Sequence, residues 1–259
     1  MNVKPILKTV TIALGLAISG SIFAAGDGQA TDVKDWNVAG GEKDEAMLLK
    51  ADKERGIAVY EVCSACHLLE GWGLKDGTFP QLAGQHRSVL IKQLADIRAQ
   101  NRDNPTMYPF ALDEQIVAAS GYAHGEISPA QLVADVTDYI SKLPMNPEPG
   151  LGLWEKGTPE FAQGKKLYKE NCVECHGDNG EGNKEKFYPK IHGQHYKYML
   201  RQFEWIRDGK RRNANPDMVK QIKGFSDKDM QMVVNWVSRA PIPKEKLAPS
   251  KDWQNPDYD

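Results

Sequence analysis

Every cysteine in the chain lies in one of two Cys-x-x-Cys-His runs, Cys63-Ser-Ala-Cys66-His67 and Cys172-Val-Glu-Cys175-His176. Two thiols three residues apart on a helical turn can each add to a vinyl group of one haem. The histidine that follows then turns its imidazole toward the iron as the proximal ligand. A single Cys-x-x-Cys would equally suit a redox disulfide or half of a zinc site. Two copies, each with His directly after the second Cys, predict two covalently bound haem c groups. Cys63, Cys66, Cys172 and Cys175 would hold them, with His67 and His176 on the irons.

The sixth iron position decides between chemistries, since a filled one means electron transfer and an open one permits catalysis. Met107 and Met218 are the candidates. They follow His67 and His176 by 40 and 42 residues, in matching frames Asn104-Pro105-Thr106-Met107 and Asn215-Pro216-Asp217-Met218. A thioether favours reduced iron and raises its potential. The alternative is that both are core methionines, the commoner fate of Met in a helical protein. His124 is a rival to Met107, and His86 and His195 are either ligands or hydrogen-bonded residues at helix starts.

These residues sit in a tandem repeat. An offset of 109 carries Cys63 onto Cys172, Gly84-Gln85-His86 onto Gly193-Gln194-His195, Gln93 onto Gln202, and Ile97-Arg98 onto Ile206-Arg207. Each half reads as helical, with no alternating apolar runs, so the fold class is all-α. A helix ends in each haem motif and carries a glycine, Gly56 or Gly164. A closing helix begins at Ser128 or Ser226 and bears Tyr139 or Trp236. The glycines let the two helices cross closely, and the aromatics pack into the crossing. From Met107 to Tyr139 is 14 residues longer than from Met218 to Trp236, an insertion containing Tyr122 and His124.

The expected boundaries are a signal peptide at 1–25, a flexible N-terminal segment at 26–50, a first haem domain at 51–144 and a Pro-rich linker at 145–155. A second haem domain at 156–241 and a C-terminal tail at 242–259 follow. The leader places Lys4 and Lys8 before an apolar stretch that ends at Ala24-Ala25. Its removal takes the formal charge from −2 to −4. The expected product is an exported, periplasmic protein with no membrane span, or a membrane-attached one if the leader is kept. Lys34-Asp35-Trp36-Asn37 and Lys251-Asp252-Trp253-Gln254 echo one another in tails that are either draped over a domain by their Trp or disordered.

The haem motifs, Pro80-Gln-Leu82-Ala-Gly84-Gln85 with its counterpart Pro189-Lys-Ile191-His-Gly193-Gln194, the paired glutamines and the methionine frames resemble the diheme class I cytochromes c of the cytochrome c4 type. The resemblance covers most of residues 52–241. It implies two tandem class I cytochrome c domains related by a pseudo-twofold axis. It also implies that the Pro80 and Pro189 carbonyls accept from the ring N–H of His67 and His176.

Two functions of different classes follow. The first is an electron carrier, not an enzyme, between a dehydrogenase or quinol-oxidising complex as donor and an oxidase or reductase as acceptor. The second is a haem enzyme, or the cytochrome subunit of a dehydrogenase, acting on a small inorganic species such as a sulfur compound. Arg207-Asp-Gly-Lys210-Arg211-Arg212 either steers an acidic partner or pairs with haem propionates. The rest of the chain is not basic, and nucleic acid is not an expected partner.

Overall fold

Side-chain caps fix where the main helices begin. The structure, a computed structural model, describes residues 39–258; the leader and the Trp36 segment lie outside them. Among the described residues the first half contains α1 (Glu42–Leu48), α2 (Lys53–His67), α3 (Arg87–Arg98), α4 (Tyr108–Ala111), α5 (Asp113–Ser120) and α6 (Pro129–Lys142). The second contains α7 (Pro159–Asn171), α8 (Val173–His176), α9 (Tyr196–Arg207), α10 (Pro216–Ile222) and α11 (Asp227–Val237). The class is all-α, as expected, with only isolated β-bridges among the described residues. Ser128, Thr158 and Ser226 open α6, α7 and α11 by accepting from the backbone N–H three residues on. Each hydroxyl satisfies a donor that the first turn leaves unpaired.

Each half has its own apolar core, built on one helix crossing: α2 on α6, and α7 on α11. A Cβ on Gly56 would lie 2.7 Å from the Asp135 carbonyl oxygen, and one on Gly164 would lie 2.0 Å from that of Met232. Only glycine permits those separations. Tyr60 packs on Tyr139 in the first crossing with centroids 5.5 Å apart, and Tyr168 on Trp236 in the second at 4.4 Å.

The first half is extended at both ends. Residues 42–48 fall in the segment expected to be flexible, yet they form α1, whose Ala46 is fully buried in the first core. The C-terminal tail returns to that same core and lies over the α2/α6 crossing. Ala248 is buried there, Trp253 packs on Trp72, and the Asn255 amide donates to the Leu69 carbonyl (2.7 Å) and the Tyr139 hydroxyl (2.8 Å). Tyr258 donates to the Ile57 carbonyl at 3.0 Å, and Asp257 pairs with Lys53. The tail is thus draped over a domain, and the domain it covers is the distant one in sequence.

Ending the chain after Pro249 is expected to destabilise the first half by roughly 2–4 kcal/mol, from lost aromatic burial and two lost buried hydrogen bonds. Hydrogen exchange read by mass spectrometry should show faster exchange in α2 and α6 with α7 and α11 unchanged. Unchanged protection of α2 would show the strap to be dispensable.

The two halves meet through hydrogen bonds that obey the repeat. Gln194 accepts from Gln81 N–H (2.9 Å) and donates to its carbonyl (2.8 Å); Gln85 accepts from Lys190 N–H (2.9 Å) and donates to its carbonyl (3.0 Å). Gln85 and Gln194 are 109 apart, as are Gln81 and Lys190. His86 and His195 extend the pattern: their Nε2–H groups reach the carbonyls of Glu181 (2.9 Å) and Trp72 (2.6 Å). Each of these six bonds has its partner at the duplication offset, which is what a local twofold relation between the halves requires.

Candidate haem sites

Both haem motifs lie where a helix stops. In the first half Cys63, Cys66 and His67 occupy the last turn of α2. In the second the helix breaks at Cys172, which closes α7 and opens the one-turn α8 carrying Cys175 and His176. None of the four cysteines is in a disulfide. Burial, more than the neighbouring thiol, pushes the Cys63 and Cys172 thiols, before any attachment, up to about 12.

The two histidines are buried, and each is held by one ring nitrogen. His67 Nδ1–H donates to the Pro80 carbonyl at 2.9 Å and His176 Nδ1–H to the Pro189 carbonyl at 3.2 Å. That bond fixes the tautomer and leaves the Nε2 lone pair facing outward from the anchor. Burial holds both rings below the ordinary histidine range, and for His67 the charge of Arg102 adds to it. The rings are therefore neutral bases, the form that binds iron.

The proline carbonyls reach the rings because of Gly73 and Gly182. Each has a left-handed φ (+64° and +70°), and a Cβ at either would lie 2.4 Å from the oxygen of Phe79 and Pro80, or of Tyr188. Their N–H groups bond back to the carbonyls of His67 and His176, both at 2.9 Å. The loop is thus clamped at the histidine and at the proline. The set of two thiols, a neutral imidazole with fixed tautomer and an apolar core beside them fits a haem c in each half.

The Asn-Pro-x-Met frames prove to be chain turns as well as candidate ligand frames. Asn215 caps α10 by accepting from Asp217 N–H at 2.8 Å, with Pro216 in the first turn, and Met218 packs partly buried on the second core. Asn104 turns the chain so that Met107 N–H meets its carbonyl at 3.1 Å, and Met107 precedes α4 half-buried. His124 lies exposed in the loop after α5, lining a surface cavity of about 230 Å³ with Val117 and Ile127. In the longer span between Met107 and Tyr139, Ile116 and Val117 of α5 enter the first core. His86 and His195 do stand at helix starts, but each ring bonds to the opposite half and not to its own helix.

Residues 53–144 match the family described as Cytochrome c, and residues 159–237 match the one described as Cytochrome C oxidase, cbb3-type, subunit III. Cytochrome c4 of Thiocapsa roseopersicina is 30% identical over 181 residues, which are 68% of this chain and 85% of that one. The chain belongs to the cytochrome c4 family. The thiosulfate dehydrogenase electron acceptor of Stutzerimonas stutzeri is 32% identical over 67% of this chain and 76% of its own. The crystal structure of reduced recombinant cytochrome c4 from Pseudomonas stutzeri superposes with a TM-score of 0.56 at 27% identity, covering 74% of this chain and all of that one.

As a cytochrome c4-family protein with two cytochrome c domains, the chain carries two covalently bound haem c groups. When bound, haem c supplies one-electron chemistry at iron. The protein's part is to hold the imidazole tautomer, exclude water and set the surrounding charge. Between the halves lies a set of residues whose arrangement the motifs did not reveal. Gln93 Oε1 accepts from Arg102 (2.8 Å) and Arg211 (3.0 Å), and Gln202 Oε1 accepts from Arg211 (3.0 Å) and Arg102 (3.3 Å). Arg102 and Arg211 are also 109 apart, a repeat match that was available in the sequence. The basic run around Arg211 is spent largely on such bonds: Arg207 pairs with Asp208 and Asp227, and Arg212 donates to the Gln100 carbonyl.

Proposed function

We infer that this two-haem protein is a periplasmic electron carrier. It passes single electrons from a dehydrogenase or quinol-oxidising donor to a terminal acceptor, without substrate chemistry of its own. Cys63 and Cys66 attach the first haem and Cys172 and Cys175 the second. His67 and His176 are the proximal ligands, oriented by Pro80 and Pro189, and Met107 and Met218 complete the two irons. The haem domains span 51–144 and 156–241, joined by 145–155. The observation that carries this reading is the repeated neutral histidine, buried and tied through Nδ1 to a proline carbonyl. An iron held by fixed ligands in both oxidation states needs little rearrangement on electron transfer.

The relative in Stutzerimonas named as an electron acceptor of thiosulfate dehydrogenase favours one kind of donor, an enzyme that oxidises a small inorganic sulfur species. In that case the sulfur chemistry belongs to the donor and this chain takes the electrons. No helix among the described residues is long and apolar enough to cross a membrane, consistent with a carrier that diffuses between partners once its leader is cleaved.

Denaturing mass spectrometry of the exported protein should show two haems on one chain. Carbon monoxide should bind the reduced protein slowly and substoichiometrically, because it must first displace a thioether sulfur. A mass with one haem overturns the two-haem assignment. Rapid stoichiometric binding of carbon monoxide overturns the carrier reading in favour of an enzyme with an open iron.

A further inference from the structure

The two histidines that join the halves are bonded unequally. His195 is fully buried, and both of its ring nitrogens are engaged. Nε2–H donates to the Trp72 carbonyl of the first half at 2.6 Å, and Nδ1 accepts from Gly150 N–H of the linker at 2.9 Å. A carbonyl can only accept and an amide N–H can only donate, so these partners fix one tautomer and leave no place for a second proton. His86, its counterpart at the duplication offset, is half-buried, and its Nε2–H bond to the Glu181 carbonyl is compatible with a charged ring.

Gly150 is closely confined. A Cβ there would lie 2.3 Å from the Lys75 carbonyl oxygen of the first half, and its own carbonyl accepts from Tyr196 N–H at 2.8 Å. Trp72 is held as well: its indole N–H donates to the Pro144 carbonyl at 2.9 Å, and its ring packs on Trp253 of the C-terminal strap. One buried ring therefore gathers the first half, the linker and the start of α9. The charges around it offer an imidazolium no unspent anion. Lys75 and Asp76 of the loop after Trp72 act on the ring in opposite senses, and Asp76 is exposed with its carboxylate accepting from Thr78 N–H. Glu148 of the linker pairs with Lys75 at 3.6 Å, Lys251 and Asp252 of the strap pair with each other, and α9 adds Lys197. Burial, more than these charges, holds the His195 ring below the ordinary histidine range, and the bond to Trp72 offsets it only in part.

We propose that His195 is a proton-operated latch: neutral, it ties the linker and the first half to α9; protonated, it releases Gly150 and loosens the junction between the halves. A proton on Nδ1 would set one N–H against another and place a charge in a site closed to water. The ring therefore gains its proton as the junction opens. Linkage gives the sign. Because the closed junction disfavours the charged ring, the latch contributes fully above the ordinary histidine value of about 6.5 and weakens as pH falls below it. In that range each unit of pH favours the open junction by up to about tenfold, one proton being gained on opening. The latch needs only the junction, and it stands apart from the choice of electron donor and acceptor.

The test is hydrogen exchange of the reduced holoprotein, read by mass spectrometry from about pH 7.5 to about pH 5 and corrected for the intrinsic pH dependence of exchange. Peptides covering 72–81, 146–152 and 190–196 should lose protection by up to about tenfold per pH unit below about 6.5, with α2 and α6 unchanged. Glutamine carries one amide donor and one carbonyl acceptor and does not titrate, so His195→Gln should show level protection across the range. His86→Gln should keep the wild-type dependence. Level protection in the wild type, or a His195→Gln protein that follows the wild-type curve, overturns the proposal. Should His195→Gln fail to load haem, the His195 ring resonances of the reduced wild type carry the test. They should keep neutral-imidazole positions while the junction amides are protected, and an ordinary titration near about 6.5 with those amides still protected overturns the latch.

Discussion

Replacing Met218 by alanine is expected to abolish the near-infrared sulfur-to-iron band of the second haem and to lower its potential, leaving the first haem's band intact. The local structure explains why this methionine is well placed. Asn215 caps α10 and Pro216 fixes its first turn, so Met218 sits on a rigid helix start against the second core. A thioether held there loses little entropy on binding iron. Axial ligand identity spans about 0.8 V among haem proteins, so loss of the sulfur is expected to cost on the order of 0.1 V or more. Were Met218 only a core residue, the band would survive and the variant would instead lose about 2–5 kcal/mol of stability. Absorption spectra and thermal melts of the same preparation separate those outcomes.

Gly164→Ala should be among the most damaging single-methyl changes in the chain. The added Cβ would lie 2.0 Å from the Met232 carbonyl oxygen and 2.6 Å from its carbon, both backbone atoms that no rotamer can clear. The helices must part, and the Tyr168 to Trp236 contact across them loosens. Overpacking of this kind costs about 2–3 kcal/mol or more, equivalent to a fall of roughly 10–20 °C in the melting midpoint of a domain this size. Hydrogen exchange should place the loss in α7 and α11 and spare α2 and α6. A variant that melts like the wild type would mean that the crossing is looser than the structure has it. Gly56→Ala, with its clash at 2.7 Å, should show a milder version in the first half.

The sequence by itself determined the chemistry of the haem motifs, the duplication and the all-helical class. Those depend on short-range relations: thiols one turn apart, a histidine beside them, a fixed offset, and hydroxyls at helix starts. The close crossings were legible for the same reason, since a glycine on one helix and an aromatic on the next mark a contact within one half. The Asn-Pro-x-Met frames were legible as a repeat but ambiguous in meaning, because a cap and a ligand ask for the same local turn.

Only the tertiary structure decided what joins the halves. Gln85 and Gln194, His86 and His195, and the arginine and glutamine quartet bond to residues about a hundred positions away. Local pattern carries no information about such partners, and a histidine at a helix start reads alike whether its ring serves its own helix or another domain. The C-terminal strap is the same case: Asn255 meets Leu69 and Tyr139 because the chain returns across the junction, which its polar composition concealed. Burial likewise changed the meaning of Asp96, an ordinary helix acid in the sequence. Folding takes it out of water and sets it opposite the second half, where it accepts from the Asn213 amide.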